Sequence, residues 1–209
     1  MDIRRVRRGF AFLEGVIILR RKLIAVTLLV LLIQLTGCDR HNGRYTEELN
    51  ALSEHMKENQ GFSKTISNDR YKLTATVDLS QEQDADRLVY EIFIRKPRTP
   101  MKDILMSFSL DPDMSKRLKT SDVFQSNAFN DKPVNFNPGE DMNGISLFRG
   151  FILDKELLDK HTLNIFRTLY VKITYSDPDG DKRTDYVKMQ AEPSDAVRRY
   201  LVNGANKGK

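Results

Sequence analysis

The sequence runs to 209 residues, with 34 Lys and Arg against 29 Asp and Glu, one Cys and no Trp. A single cysteine excludes any disulfide within the chain and any site built on several thiolates. Seven of the basic residues but only two of the acidic ones fall in residues 1–37, so residues 38–209 are balanced at 27 of each, and the basic excess is no argument for nucleic-acid binding.

The chain opens with Arg4, Arg5, Arg7 and Arg8 ahead of a short apolar patch. Two explanations of residues 1–19 stand: translation starts further down, at a codon read here as Val16 or Leu19, or the extension is cytosolic sequence removed with a signal. Arg20, Arg21 and Lys22 then lead into an apolar run from Leu23 to Leu35, interrupted only by Thr27 and Gln34. Positive charge holds such a segment on the cytoplasmic side while its core enters the bilayer, and the small Thr36 and Gly37 let a peptidase approach the backbone before Cys38. The run is shorter than the ~20 residues needed to span a bilayer, and Asp39 beside Arg40 is no stop-transfer cluster.

Leu35-Thr36-Gly37-Cys38, in that position, resembles the lipobox of bacterial lipoproteins. The resemblance implies that residues 1–37 are removed as a signal peptide and that Cys38 is diacylated and becomes the new N-terminus. It makes Cys38 the one assigned site, the lipid bilayer the first partner, and the extracytoplasmic face of a cell membrane the location. Two or three acyl chains give durable anchoring where one gives marginal binding.

Residues 38–44, the lipidated cysteine and DRHNGR, read as a tether. Residues 45–60 read as an amphipathic helix, with Tyr45, Leu49, Leu52 and Met56 in one stripe and the charged residues turned to solvent. From residue 70 the period changes to two. Tyr71 to Leu79, Arg87 to Arg95 and Met101 to Leu110 are predicted strands, separated by SQEQDAD and by Pro97 and Pro100. Met114 to Asn143 is irregular, with short strands expected near Val123 to Gln125 and Pro133 to Phe136; Phe124, Phe129 and Phe136 belong either to the core or to a joint exposed surface. Ile145 to Leu153 reads as a strand with Gly150 as a candidate bulge. Asp154 to Lys160 reads as a single turn. Thr168 to Tyr175 and Thr184 to Gln190 form a hairpin closed by SDPDGD. Residues 192–209 read as a loop or short helix and a frayed tail.

Seven or so strands without helices between them predict an all-β domain at 70–191, an antiparallel sandwich. The pattern, above all the hairpin ITYSDPDGDKRTDYVKM, resembles immunoglobulin-like domains of bacterial envelope proteins. That likeness implies a fold style and no site. His41, His55 and His161 lack metal-ligand spacing, and no nucleophile, phosphate or dinucleotide motif appears, so no catalytic, cofactor or metal residues are assigned. Asp177, Asp179 and Asp181 alternate as calcium ligands do, but in too short a loop with no closing Glu. The expected function is a non-catalytic module that binds or scaffolds an envelope protein. The alternative is an envelope enzyme or solute-binding protein with a motif-less polar site, recognisable by a pocket of converging charged residues.

Overall fold

The computed structural model describes residues 39–58, 61–66, 70–120, 122–130, 132–139 and 144–207. The basic and apolar stretch 20–37 and Cys38 lie outside these residues, as do residues 1–19. Contacts divide the chain into two compact units, 1–43 and 44–209. The fold below is that of the second.

Helix α1 spans Asp39–Lys57, starting six residues before the apolar stripe predicts and taking in the residues read as a tether. The strands are β1 (Lys72–Gln81), β2 (Asp86–Arg95), β3 (Lys102–Leu110), β4 (Phe124–Ser126) and β5 (Ile145–Ile152). After them come helix α2 (Lys160–Ile165), strands β6 (Thr168–Ser176), β7 (Lys182–Gln190) and β8 (Glu192–Pro193), and helix α3 (Asp195–Lys207). They form two four-stranded sheets, ordered β5-β2-β1-β8 and β4-β3-β6-β7.

The expected all-β immunoglobulin-like sandwich is corrected by this architecture, which is mixed α/β. Three features overturn it. Strand β8 pairs parallel to β1, Thr76 opposite Glu192, where an antiparallel sheet was expected. The segment read as a loop or short helix running into a frayed tail is a thirteen-residue helix, α3, that places Val197, Leu201 and Ala205 in the interior. Helix α2 also sits between β5 and β6, where no helix was expected. The physical cause is that spacing of Val197, Leu201 and Ala205 at i, i+4 and i+8, which gives helix α3 a complete apolar face.

The strand faces follow the alternation in the sequence. Leu88, Tyr90, Ile92 and Ile94 of β2 and Met106, Phe108 and Leu110 of β3 are fully buried, as are Leu169, Val171 and Ile173 of β6. These residues of both sheets share one core with Val197 and Leu201 of α3. The Phe151 ring of β5 meets Tyr90 and Phe108 edge-on, and the Tyr90 hydroxyl donates to the Phe166 carbonyl at 2.7 Å. Gly150 is no bulge: β2 and β5 pair without a register shift from Arg87 with Ile152 to Ile94 with Ile145. The irregular region supplies β4 and one bridge, Met101 with Phe136, and buries Phe124 and Phe136.

The two long sides of the domain differ. On one, edge strands β4 and β5 are joined by side chains: Arg149 donates to Asp122 and to the Phe124 carbonyl, and the Gln125 amide reaches the Phe148 carbonyl at 3.4 Å. On the other, a cleft lies between β1 and β7.

Candidate functional site

Two polar constellations stand out. The first lies under α1, on the face of the second sheet turned away from the core. That face carries Ser107 and Ser109 of β3, Ser126 of β4, and Lys172 and Thr174 of β6, all buried. Alternation puts them there: each is a register partner or next-but-one neighbour of the others, with Ser107 opposite both Ser126 and Lys172. Glu48 of α1 reaches down to them. Its Oε1 takes the Lys172 ammonium at 2.6 Å and its Oε2 accepts from Ser107 Oγ at 2.8 Å, and Ser107 Oγ lies 3.0 Å from Ser126 Oγ. The charged partners are only about a tenth exposed. Aromatic contacts flank the pair. Tyr45 stacks on Phe129 and meets Phe124 edge-on, while His55 stacks on Tyr186 at 3.7 Å between ring centres. Lysine and serine here both spend their polar atoms on Glu48, beneath a helix, so the cluster docks α1 onto the sheet.

The second constellation is the cleft between β1 and β7, of about 480 Å³. Its wall is apolar: Tyr71 and Leu73 from β1 and the residue before it, Val187 and Met189 from β7, and Ile66. Four cations line it, Lys64, Lys72, Lys96 and Arg98, and no carboxylate does so among the described residues. Lys64, Lys72 and Lys96 are exposed, and none is part of an ion pair among the described residues. Arg98 is tied by its backbone N–H to the Arg70 carbonyl at 2.8 Å.

Asp185 stands nearby but is already engaged. Its carboxylate takes Arg70 Nη2 at 2.5 Å and the Tyr71 hydroxyl at 2.9 Å. Burial pushes the Tyr71 phenol far above the usual tyrosine range, and the adjacent Asp185 charge pushes it further the same way. Tyr71 is therefore a neutral donor fixed to Asp185, not a titrating group. The cleft places the positive charge of Lys64, Lys72 and Lys96 over an apolar wall.

The cleft was not read from the sequence. Its cations come from three separate segments, and each alone is an ordinary polar residue beside a strand. The one local signal is Lys96-Pro97-Arg98, where two cations flank a proline immediately after β2.

Of the residues singled out by sequence, Cys38 lies outside the described residues. His161 Nε2 faces Asp113 at 3.4 Å, and His55 is half-buried in its stack. Asp177 caps its own turn, accepting from the Asp179 and Asp181 N–H groups and from Arg183 Nε at 2.8 Å. The Arg183 hydrogen bond, before all else, holds the Asp177 carboxyl below its usual range. Phe129 is half exposed against Tyr45, apart from the buried Phe124 and Phe136, so the three phenylalanines form no joint surface. Among the described residues no helix is long and apolar enough to cross a membrane.

No protein-family model matches this sequence, and no curated protein does. Among solved structures, the X-ray structure of Northeast Structural Genomics Consortium target SoR45 aligns at 12% identity over 62% of this chain and 90% of its own, with a TM-score of 0.34. The sporulation control protein Spo0M from Bacillus subtilis aligns at 15% identity over 57% of this chain and 49% of its own, with a TM-score of 0.17. Superpositions that loose carry no argument, and the functional reading rests on this chain's own residues.

Proposed function

We propose that this chain is a lipid-anchored, non-catalytic binding module held on the extracytoplasmic face of a cell membrane by acyl chains on Cys38. The anchor is supported by the order basic cluster, apolar run, small residues, cysteine over residues 20–38. The binding role is carried by one observation: the cleft between β1 and β7, where three exposed lysines and Arg98 meet an apolar wall. Converging charge in a cleft favours a ligand over a partner strand. The sheet edges agree, since β4 and β8 are three and two residues long, β7 already bonds Ser63 through Tyr186 and Lys188, and the eight-residue β5 is engaged at its Phe148 and Ile152 carbonyls by Gln125 and Lys119.

A protein partner keeps one supporting feature. The face of the first sheet turned from the core carries Phe148, 64% exposed, with Phe93 half-buried beside it. Crosslinking in the native membrane, with Phe148→Ser as the control, would recover a partner that the variant loses.

The anchor is tested by growing cells with labelled palmitate. Wild type should take up label and sediment with membranes, with its N-terminus blocked at Cys38, and Cys38→Ser should do neither. Unlabelled protein with residues 1–37 intact would end the reading.

A further inference from the structure

We propose that the cleft between β1 and β7 binds a phosphate-bearing amphiphile, a phosphomonoester head group carrying an apolar chain. This deepens the reading of the domain as a binding module and rests on it.

Three observations converge. The first is charge. Residues 38–209 are electrically balanced, yet the exposed Lys64, Lys72 and Lys96 gather here with no carboxylate among the described lining, and Asp185, close by, is taken by Arg70 and Tyr71. Several cations in one cleft suit a head group of more than one negative charge better than a single carboxylate, and lysine binds phosphate as a point charge. The second is the wall. Leu73 and Met189 are only half-buried although they stand on the core faces of their sheets, so apolar surface is open directly behind the cations. A bare anion would leave that surface wet, and a purely apolar ligand would have no use for the cations.

The third is backbone strain. Lys96 has φ of +49°, one of two non-glycine residues in the left-handed region among the described residues, and it precedes Pro97. A side chain there is disfavoured, and the left-handed region normally belongs to glycine. The connector is held in this form by the Arg98 N–H bond to the Arg70 carbonyl. A strained non-glycine residue in the lining of a cleft is grounds for a functional assignment, here that the Lys96 ammonium meets the ligand.

The test uses the full chain reconstituted in phosphatidylcholine nanodiscs and titrated by calorimetry with dihexanoyl phosphatidic acid, inorganic phosphate and dihexanoyl phosphatidylcholine. The phosphatidic acid should bind at least about tenfold more tightly than either of the other probes, and added salt should weaken it. Lys72→Ala and Lys64→Ala should each weaken binding about threefold, the scale of one exposed charge pair. Lys96→Gly should weaken binding while raising the melting temperature by about 2–4 °C, because glycine accepts the left-handed backbone. Partition into the nanodisc is common to every variant and cancels.

A parallel arm sediments the chain with phosphatidylcholine vesicles that contain or lack phosphatidic acid, after proteolytic release from its anchor. Lysine-dependent capture by the acidic vesicles assigns the ligand to the bilayer, and lysine-dependent binding of the monomer alone assigns it to a free phosphorylated amphiphile. Equal affinity for the three probes, or affinity indifferent to all three lysines, would overturn the proposal. So would a lower melting temperature with unchanged affinity in Lys96→Gly. The palmitate experiment reads Cys38 alone, so failure of the anchor and failure of this ligand are told apart.

Discussion

Asp86 shows how one side chain can tie three segments. Its Oδ2 accepts from the Tyr200 hydroxyl at 2.6 Å and pairs with Lys155 Nζ at 2.7 Å, joining the start of β2 to α3 and to the turn before α2. Its side chain is 7% exposed, yet hydrogen bonds from Lys155 first and Tyr200 second hold the carboxyl below its usual range against the opposing effect of burial. A carboxyl depressed by folding contributes stability above its unfolded pKa, about 3.9, and that contribution is lost as pH falls through the lower folded value. Asp86→Asn should therefore cost about 1–2 kcal/mol near neutrality, and its deficit against wild type should close below roughly pH 4. Urea midpoints of both proteins across that range decide it, and a deficit independent of pH would show that the charge is not involved. Tyr90 gives a simpler expectation at this scale. Tyr90→Phe keeps the ring and removes only the 2.7 Å bond to Phe166, so a loss of about 1 kcal/mol in the same urea assay is expected. Alternation in β2 puts Tyr90 on the core face but does not show where its hydroxyl goes, because the acceptor lies 76 residues away.

Helix α1 and the sheet beneath it make the case for elements. In the sequence Glu48 belongs to the charged side of a helix and Lys172 to the polar side of a strand, and both read as solvated. They are buried because the outer face of the second sheet is made of small polar residues that α1 covers, with Leu52 fully buried beside the ion pair. Removing one partner from such a pair leaves a buried charge, at about 3–5 kcal/mol, whereas replacing it by apolar groups of similar volume is often neutral. Glu48→Ala should destabilise by about 3 kcal/mol, and Glu48→Leu with Lys172→Met should recover to within about 1 kcal/mol of wild type. Thermal melts of the single and double variants measure the coupling, and additive losses would mean that the two charges act separately. A second element depends on one glycine. Gly144, at φ +108°, enters β5 so close to β2 that a Cβ would lie 2.6 Å from the Ile94 carbonyl oxygen. Gly144→Ala should cost about 2 kcal/mol or more in a urea melt, since backbone cannot give way as a side chain can. Strand faces and the β6–β7 hairpin were legible because a period of two is written locally. Which strands pair, and that β8 runs parallel to β1, were not, because pairing is decided by contacts distant in sequence. The full length of helix α3 was hidden for another reason: Gly204 and the polar residues around it look like a tail, although Gly204 is where the helix packs on Leu158.

The domain formed by the described residues from Arg44 on has one core, and its cohesion follows from where α3 sits. Val197 and Leu201 are fully buried in the same cluster as Val77 and Tyr90 of the first sheet and Phe108 and Val171 of the second. A helix that only capped an all-β body could melt while the sheets stayed folded. Here its loss would open apolar surface belonging to both sheets, and Tyr200 would release Asp86 at the head of β2. Leu201→Ala leaves a cavity at that junction and should cost about 3 kcal/mol. The consequence for the whole chain is that the variant loses stability without losing cooperativity. Far-UV circular dichroism follows the helices and strands, and tyrosine fluorescence follows a core that buries Tyr71, Tyr90 and Tyr175. The two signals should fall together at one lowered urea midpoint, with the slope of wild type. A helical signal lost first, with tyrosine emission still native, would make α3 an independent appendage. In that event the strands alone would account for the core.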